Sequence, residues 1–154
     1  MNRTTAPSRA AVLILTWIGA TIGHDGGDYL VQRDSDAQVK QARTRAGRTA
    51  LAVHCLTYGA TQAAAKAVLY RAAGVRVPLR AQLAGGLAEI LLHAVIDDGR
   101  LLRAYARVVG KLPFHDLAAA GVNGRMLLDQ AAHRSVQIPV GTLITTAMAC
   151  SSRT

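Results

Sequence analysis

Apolar positions gather in four long stretches, at about residues 10–32, 49–73, 79–97 and 126–150, each rich in alanine and leucine and free of proline except at Pro139. Stretches of this length exceed ordinary strands and read as helices. The segments between them are charged or turn-forming. Residues 33–48 hold Asp34, Asp36 and five basic residues, a short turn carries Gly74 and Pro78, and a long loop runs over 98–125 with Pro113, Gly121 and Gly124. That loop opens on an amphipathic stretch around Leu101 to Val109, which predicts a short helix. The pattern predicts an all-α fold, a four-helix up-down bundle, with residues 1–154 forming one helical domain.

The polar residues inside these helices recur every four positions: His24-Asp28-Gln32, His54-Tyr58-Gln62, Glu89-His93-Asp97 and Asp129-His133-Gln137. A step of four advances about 40° beyond a full turn, so each trio forms one polar stripe on its helix. The first helix is apolar first and polar last, and the fourth is polar first. His54 lies near the start of the second helix, and His93 and Asp97 lie near the end of the third. In an up-down-up-down bundle these ends meet at one level, forming a polar His/Asp cluster at one end.

Composition narrows the class. With 29 Ala, one Phe and one Glu in 154 residues, the interior must be built from small and aliphatic side chains, which suits close helix packing. Eighteen Lys and Arg against nine Asp and Glu give +9, a balance that points to nucleic acid or to an anionic membrane surface. Nucleic acid is not expected as a partner, because the basic residues are spread over both sets of loops, with no aromatic interleaving and no recognition motif. A mean hydropathy of +0.20 favours membrane lipids and a multi-pass location in the cell membrane. No helix is an uninterrupted run of the roughly 20 apolar residues a full span uses. The polar stretch Met1 to Arg9 ahead of Ala10 to Ile22 looks like a signal peptide, but reads better as the start of an uncleaved first membrane helix, since cleavage would sever His24 and Asp28 from the run. Cys55 and Cys150 lack CxxC spacing and read as small core residues.

Ionisable groups in an apolar bundle cost about 2.5–3.5 kcal/mol each even on lenient insertion scales, so they should face inward and have partners. His and Asp at i, i+4 can reach one metal ion from one helix, and three helices offer such a pair. His24, Asp28, His54, His93, Asp97, Asp129 and His133 are therefore candidate metal ligands. Their number allows one ion with further carboxylates orienting the imidazoles, or two ions sharing an Asp. Without thiolates the cofactor is a divalent metal, with zinc favoured and manganese or iron acceptable. Gln137, at the end of its stripe, is expected to be peripheral and replaceable by water. His115 fits no stripe. Gly26 and Gly27 weaken the helix between His24 and Asp28 and mark a bend or a close approach. Arg100 and Arg103 lie where they could bind a phosphate or sit among lipid headgroups, and Arg134 is expected to snorkel or to pair with an Asp.

The run His24-Asp25-Gly26-Gly27-Asp28-Tyr29-Leu30-Val31-Gln32, followed by His54 with Thr57-Tyr58, His93 to Asp97, and Leu128-Asp129-Gln130 with His133, resembles the family catalogued as domain of unknown function 3307, small bacterial and phage membrane proteins. The resemblance covers roughly residues 15 to 140 and implies a membrane protein, with no activity attached. The chain departs from the pattern at Asp98-Gly99, where the family carries a basic residue after the aspartate. Its alanine and arginine usage suits a high-GC actinobacterial or actinophage source. The pattern is also loosely similar to small membrane-bound metal-dependent hydrolases.

These readings lead to a metal-dependent hydrolase of lipid or phosphoester substrates, in which one of Asp28, Asp97 and Asp129 acts as general base. The alternative is a non-enzymatic phage or bacterial membrane protein in which the same residues form a structural polar network. A third reading is cation or proton movement along an intramembrane His/Asp chain.

Overall fold

Side-chain caps set the starts of three helices in the computed structural model, which describes residues 8–151. Ser8 Oγ accepts from the Ala11 amide at 3.0 Å and starts α1 (Arg9–Asp25). Thr44 Oγ1 accepts from Gly47 at 3.1 Å and starts α3 (Arg45–Ala72), and Asn123 Oδ1 accepts from Met126 at 3.0 Å and starts α7 (Gly124–Ala132). The two later caps explain why these helices begin a few residues before the apolar pattern does. The basic leader read at Met1 to Arg9 falls almost wholly outside the described residues.

Between these elements lie α2 (Asp34–Val39), α4 (Leu79–Asp97), α5 (Arg100–Val108) and the short α6 (Leu112–His115). α8 (Ile138–Cys150) closes the fold. Two segments are π-helical, with wider turns: Gly26–Val31, which prolongs α1, and His133–Gln137, which joins α7 to α8. The weak helix expected at Gly26-Gly27 is thus a π turn. The long loop expected over 98–125 also holds a two-stranded antiparallel hairpin, β1 (Ala118–Ala119) and β2 (Val122–Asn123). Its turn places Ala120 at φ 51° and Gly121 at φ 77°, the left-handed pair that a tight two-residue hairpin requires.

The four long helices form a ring in which α1 packs on α3 and α8, and α4 packs on α3 and α8. The chain alternates direction, since the start of α1 meets the end of α3 and the start of α4 in a cluster of Val12, Tyr70, Val77 and Ala81, with Met148 from the end of α8 packed against it. Tyr70 hydroxyl and Thr16 Oγ1 bond at 2.6 Å at this level.

Polar side chains fill much of the bundle interior while several leucines face outward. On α4, Leu83, Leu87 and Leu91 point outward, 58–63% exposed, while Glu89, His93 and Asp97 on the opposite stripe are fully buried. The inward stripe of α3 runs through Ala50, His54, Tyr58, Gln62, Lys66 and Tyr70, and that of α8 contains Thr142, Thr145 and Thr146. Glycines make room for this polar interior. A Cβ at Gly23 would lie 2.4 Å from Gln62 Cα, and one at Gly141 would lie 2.1 Å from Glu89 Cγ, so α1 and α8 approach their neighbours closely where polar side chains enter. Lys66 Nζ pairs with Glu89 Oε2 inside the bundle and donates to Gln62 Oε1 at 3.1 Å.

Among the described residues one helix, α4, is long and apolar enough to cross a membrane, and only 22% of that stretch is buried. Length and composition carry no second span among the described residues.

Candidate metal centre

Asp97 organises the site. It is the last residue of α4, fully buried, and its two oxygens face different partners. Oδ2 lies 3.0 Å from His54 Nε2, 3.3 Å from His93 Nε2 and 2.8 Å from Lys40 Nζ; Oδ1 lies 3.3 Å from His133 Nε2. These contacts join the start of α3, the end of α4, the second π segment and the end of α2. A carboxylate sealed from water demands this many donors or cations, because its lone pairs have no other partner.

Beside Asp97 Oδ2 two imidazole nitrogens and a second carboxylate come together. His54 Nε2 and His93 Nε2 are 2.8 Å apart, and Asp28 Oδ1 lies 3.5 Å from the first and 3.7 Å from the second. Ligands at 2.0–2.1 Å from a tetrahedral ion are separated by about 3.3 Å, and the three distances among Asp28, His54 and His93 lie near that value. Asp28, His54 and His93 thus form one ligand group; Asp97, Asp129 and His133 form a second, with His133 Nε2 to Asp129 Oδ2 at 3.4 Å. His24, His93 and His133 form a third. Asp28 Oδ1 is buried with no hydrogen-bond partner, which leaves it open to a cation. All seven residues singled out in the sequence converge here. His115 does not join them; it lies in α6, bonded to Asp116.

The imidazoles are oriented by a chain of hydrogen bonds whose polarity has a fixed origin. The Lys66 ammonium can only donate, so Gln62 Oε1 accepts from it and Gln62 Nε2 donates to Tyr58 Oη at 2.6 Å. Tyr58 Oη accepts a second amide, Gln137 Nε2, at 2.5 Å. Gln137 Oε1 then faces His93 Nδ1 at 3.2 Å and, closer still, His133 Nδ1. Both rings therefore face Gln137 with Nδ1–H and turn Nε2 to the cluster, where it meets the carboxylates of Asp97 and Asp129 and would be the atom offered to a metal. Tyr58 also stacks on His93, with ring centroids 3.8 Å apart and planes at 15°. Gln137 is thus fully buried at the heart of the site, not peripheral.

Several contributors were given no role in the sequence, Lys66 among them. Lys40 and Gln41 sit in the charged 33–48 segment; Gln41 Nε2 bonds the Asp97 carbonyl at 3.1 Å and so satisfies the end of α4. Gln130 bridges His24 Nε2 at 2.9 Å and Asp28 Oδ2 at 3.0 Å. Arg134 pairs with Asp25 at 2.7 Å at the surface, one of the two roles expected for it. His24 Nδ1 and His54 Nδ1 are buried without a hydrogen-bond partner. The two π segments carry Asp28 and His133, and their wider turns take back part of the drift that a four-residue spacing accumulates, which keeps both residues on the inner face. A cavity of about 260 Å³, walled in part by Asp28, Lys40 and Asp129, opens onto the cluster from the loop side.

No family model matches the chain, and neither a curated protein nor a solved structure is detectably similar to it.

Gln137→Leu keeps side-chain volume but removes the acceptor of two Nδ1–H groups. Each buried donor left unpaired costs about 1–3 kcal/mol, and loss of an orienting partner weakens metal sites about 10–100-fold. Denaturant unfolding and metal titration of this variant should show both losses; an unchanged metal affinity would contradict the tautomer assignment.

Proposed function

We propose that the chain is a membrane protein of the family it resembles, and that its His/Asp cluster binds a divalent metal and serves a hydrolase acting on lipid or phosphoester substrates. The observation that carries the metal reading is the convergence of three buried or half-buried ligand groups, Asp28 with His54 and His93, Asp97 with Asp129 and His133, and His24 with His93 and His133. Nitrogen and oxygen donors without thiolate suit zinc, manganese or ferrous iron. A metal held here would supply Lewis acidity and a water of lowered pKa. Asp97, with its oxygens turned to two ligand groups, would hold the arrangement together. Asp129, 15% exposed beside the cavity, is the carboxylate best placed to accept a proton from a water molecule entering from the loop side. Lys40, also in the cavity wall, would meet an anionic substrate there.

The membrane reading is supported by outward leucines and buried polar stripes on the same helices, an arrangement that water would oppose and lipid would favour. A structural polar network is the second reading. It is favoured by Lys40, whose ammonium 2.8 Å from Asp97 compensates that carboxylate without any metal.

Protein purified from a metal-replete culture should contain at least about one transition-metal ion per chain, with protein ligands that leave a position for water. His93→Ala should lose most of it, and a chelator should lower the melting temperature of the wild-type chain only. Metal-free wild-type protein, indifferent to chelator, would favour the polar network instead.

After alkaline carbonate treatment of expressing cells the chain should remain in the membrane pellet. Release into the supernatant would remove the membrane assignment and leave the metal assignment standing.

A further inference from the structure

The loop end of the bundle carries a second cavity, which shares Gln41, Asn123 and Arg125 with the cavity over the metal cluster but none of the candidate metal ligands. This cavity, of about 500 Å³, opens between residues 41–43, α5, α6 and the hairpin, with Arg43, Arg100, Arg103 and Arg125 in its wall against two carboxylates, Asp98 and Asp116. Arg100 grips Asp98 through Nε and Nη2, and Arg103 reaches Asp116 at 3.3 Å. The hydrogen bond from Arg100 holds the Asp98 carboxyl below the usual carboxylate range, and that from His115 does the same for Asp116. These contacts consume two of the four guanidinium charges. Arg125 bonds only the neutral amide oxygen of Gln41, at 3.1 Å, and Arg43 acts on Asp98 through charge alone. Two positive charges therefore stand over the cavity with no carboxylate of their own.

His115 lies in the same wall. It is 7% exposed and lines the same cavity; its Nδ1 bonds Asp116 at 2.6 Å, while its Nε2 is buried with no hydrogen-bond partner. A hydrogen-bonding nitrogen so placed is costly unless something polar reaches it. Two guanidinium forks without carboxylate partners, facing one cavity, match a tetrahedral phosphate, which offers several oxygens and up to two negative charges.

α5 is the common wall of this cavity and of an apolar groove of about 410 Å³, lined in part by Leu92, Ile96, Leu101, Leu102 and Tyr105. Leu101 and Tyr105 are more than half exposed, an unusual cover for a helix nine residues long in water. A ligand with charge at one end and hydrocarbon at the other satisfies both sides of α5 at once.

We propose that this cavity binds the phosphate group of an anionic lipid, with the lipid chain lying in the groove across α5. The site shares no ligand with the metal cluster and does not depend on the hydrolase reading.

Calorimetric titration of the full chain in an uncharged detergent tests this, with dihexanoyl phosphatidic acid, dihexanoyl phosphatidylcholine and inorganic phosphate as probes. Phosphatidic acid should bind at least about tenfold more tightly than either of the others, and Arg43→Gln/Arg125→Gln should weaken it by about tenfold or more. Both arginines are exposed, so the variant should melt as the wild type does. Chelator-treated wild type should bind phosphatidic acid unchanged, which separates this site from the metal centre. Equal binding of the two lipids on the wild-type chain would overturn the proposal even if the variant fails to fold. So would unchanged affinity in a folded variant, or loss of binding with chelator, which would put the phosphate on the metal. Inorganic phosphate binding as tightly as phosphatidic acid would overturn the lipid assignment.

Discussion

A carboxylate with no exposed surface has to be compensated by the protein, and Asp97 is such a carboxylate. Its four close partners come from α2, α3, α4 and the π segment before α8. Satisfying this one group ties the end of one helix to the starts of two others and folds the 33–44 segment back over the bundle. Breaking such an arrangement from one side costs about 3–5 kcal/mol, because the remaining charge stays buried. The same requirement explains why the polar residues share a level: no single helix can supply four donors to one carboxylate.

The rest of the interior follows the same rule. Glu89 and Lys66 pair inside the bundle, Gln62 and Tyr58 carry the polarity of that pair along the axis, and Gln137 delivers it to His93 and His133. A bundle that buries this much polar surface while exposing its leucines gains little from the hydrophobic effect in water. Its cohesion in lipid would come from close backbone contact, as at Gly23 and Gly141, and from interior hydrogen bonds.

The sequence makes the helices and the level of the cluster legible, because a four-residue repeat of polar side chains is a local signal that fixes one face of each helix. α5 is legible for the same reason. Lys40 and Gln41 are not, since their segment returns to the cluster through tertiary packing, and a lysine among charged loop residues carries no mark of burial. Gln137 is misjudged because distance along a stripe says nothing about what the neighbouring helices bring to it. The hairpin escapes because Ala120 occupies a left-handed position that glycine or asparagine would have signalled.

In the proposed metal centre, nitrogen and oxygen atoms of the buried His/Asp cluster form the ligand shell of the ion. X-ray absorption at the edge of the metal retained by the purified chain tests it most directly. The account predicts a shell of N/O scatterers at about 2.0–2.2 Å with outer-shell imidazole features and no sulfur. A sulfur shell at about 2.3 Å, drawing on Cys55 or Cys150, or a spectrum of a fully hydrated ion without imidazole, would contradict it.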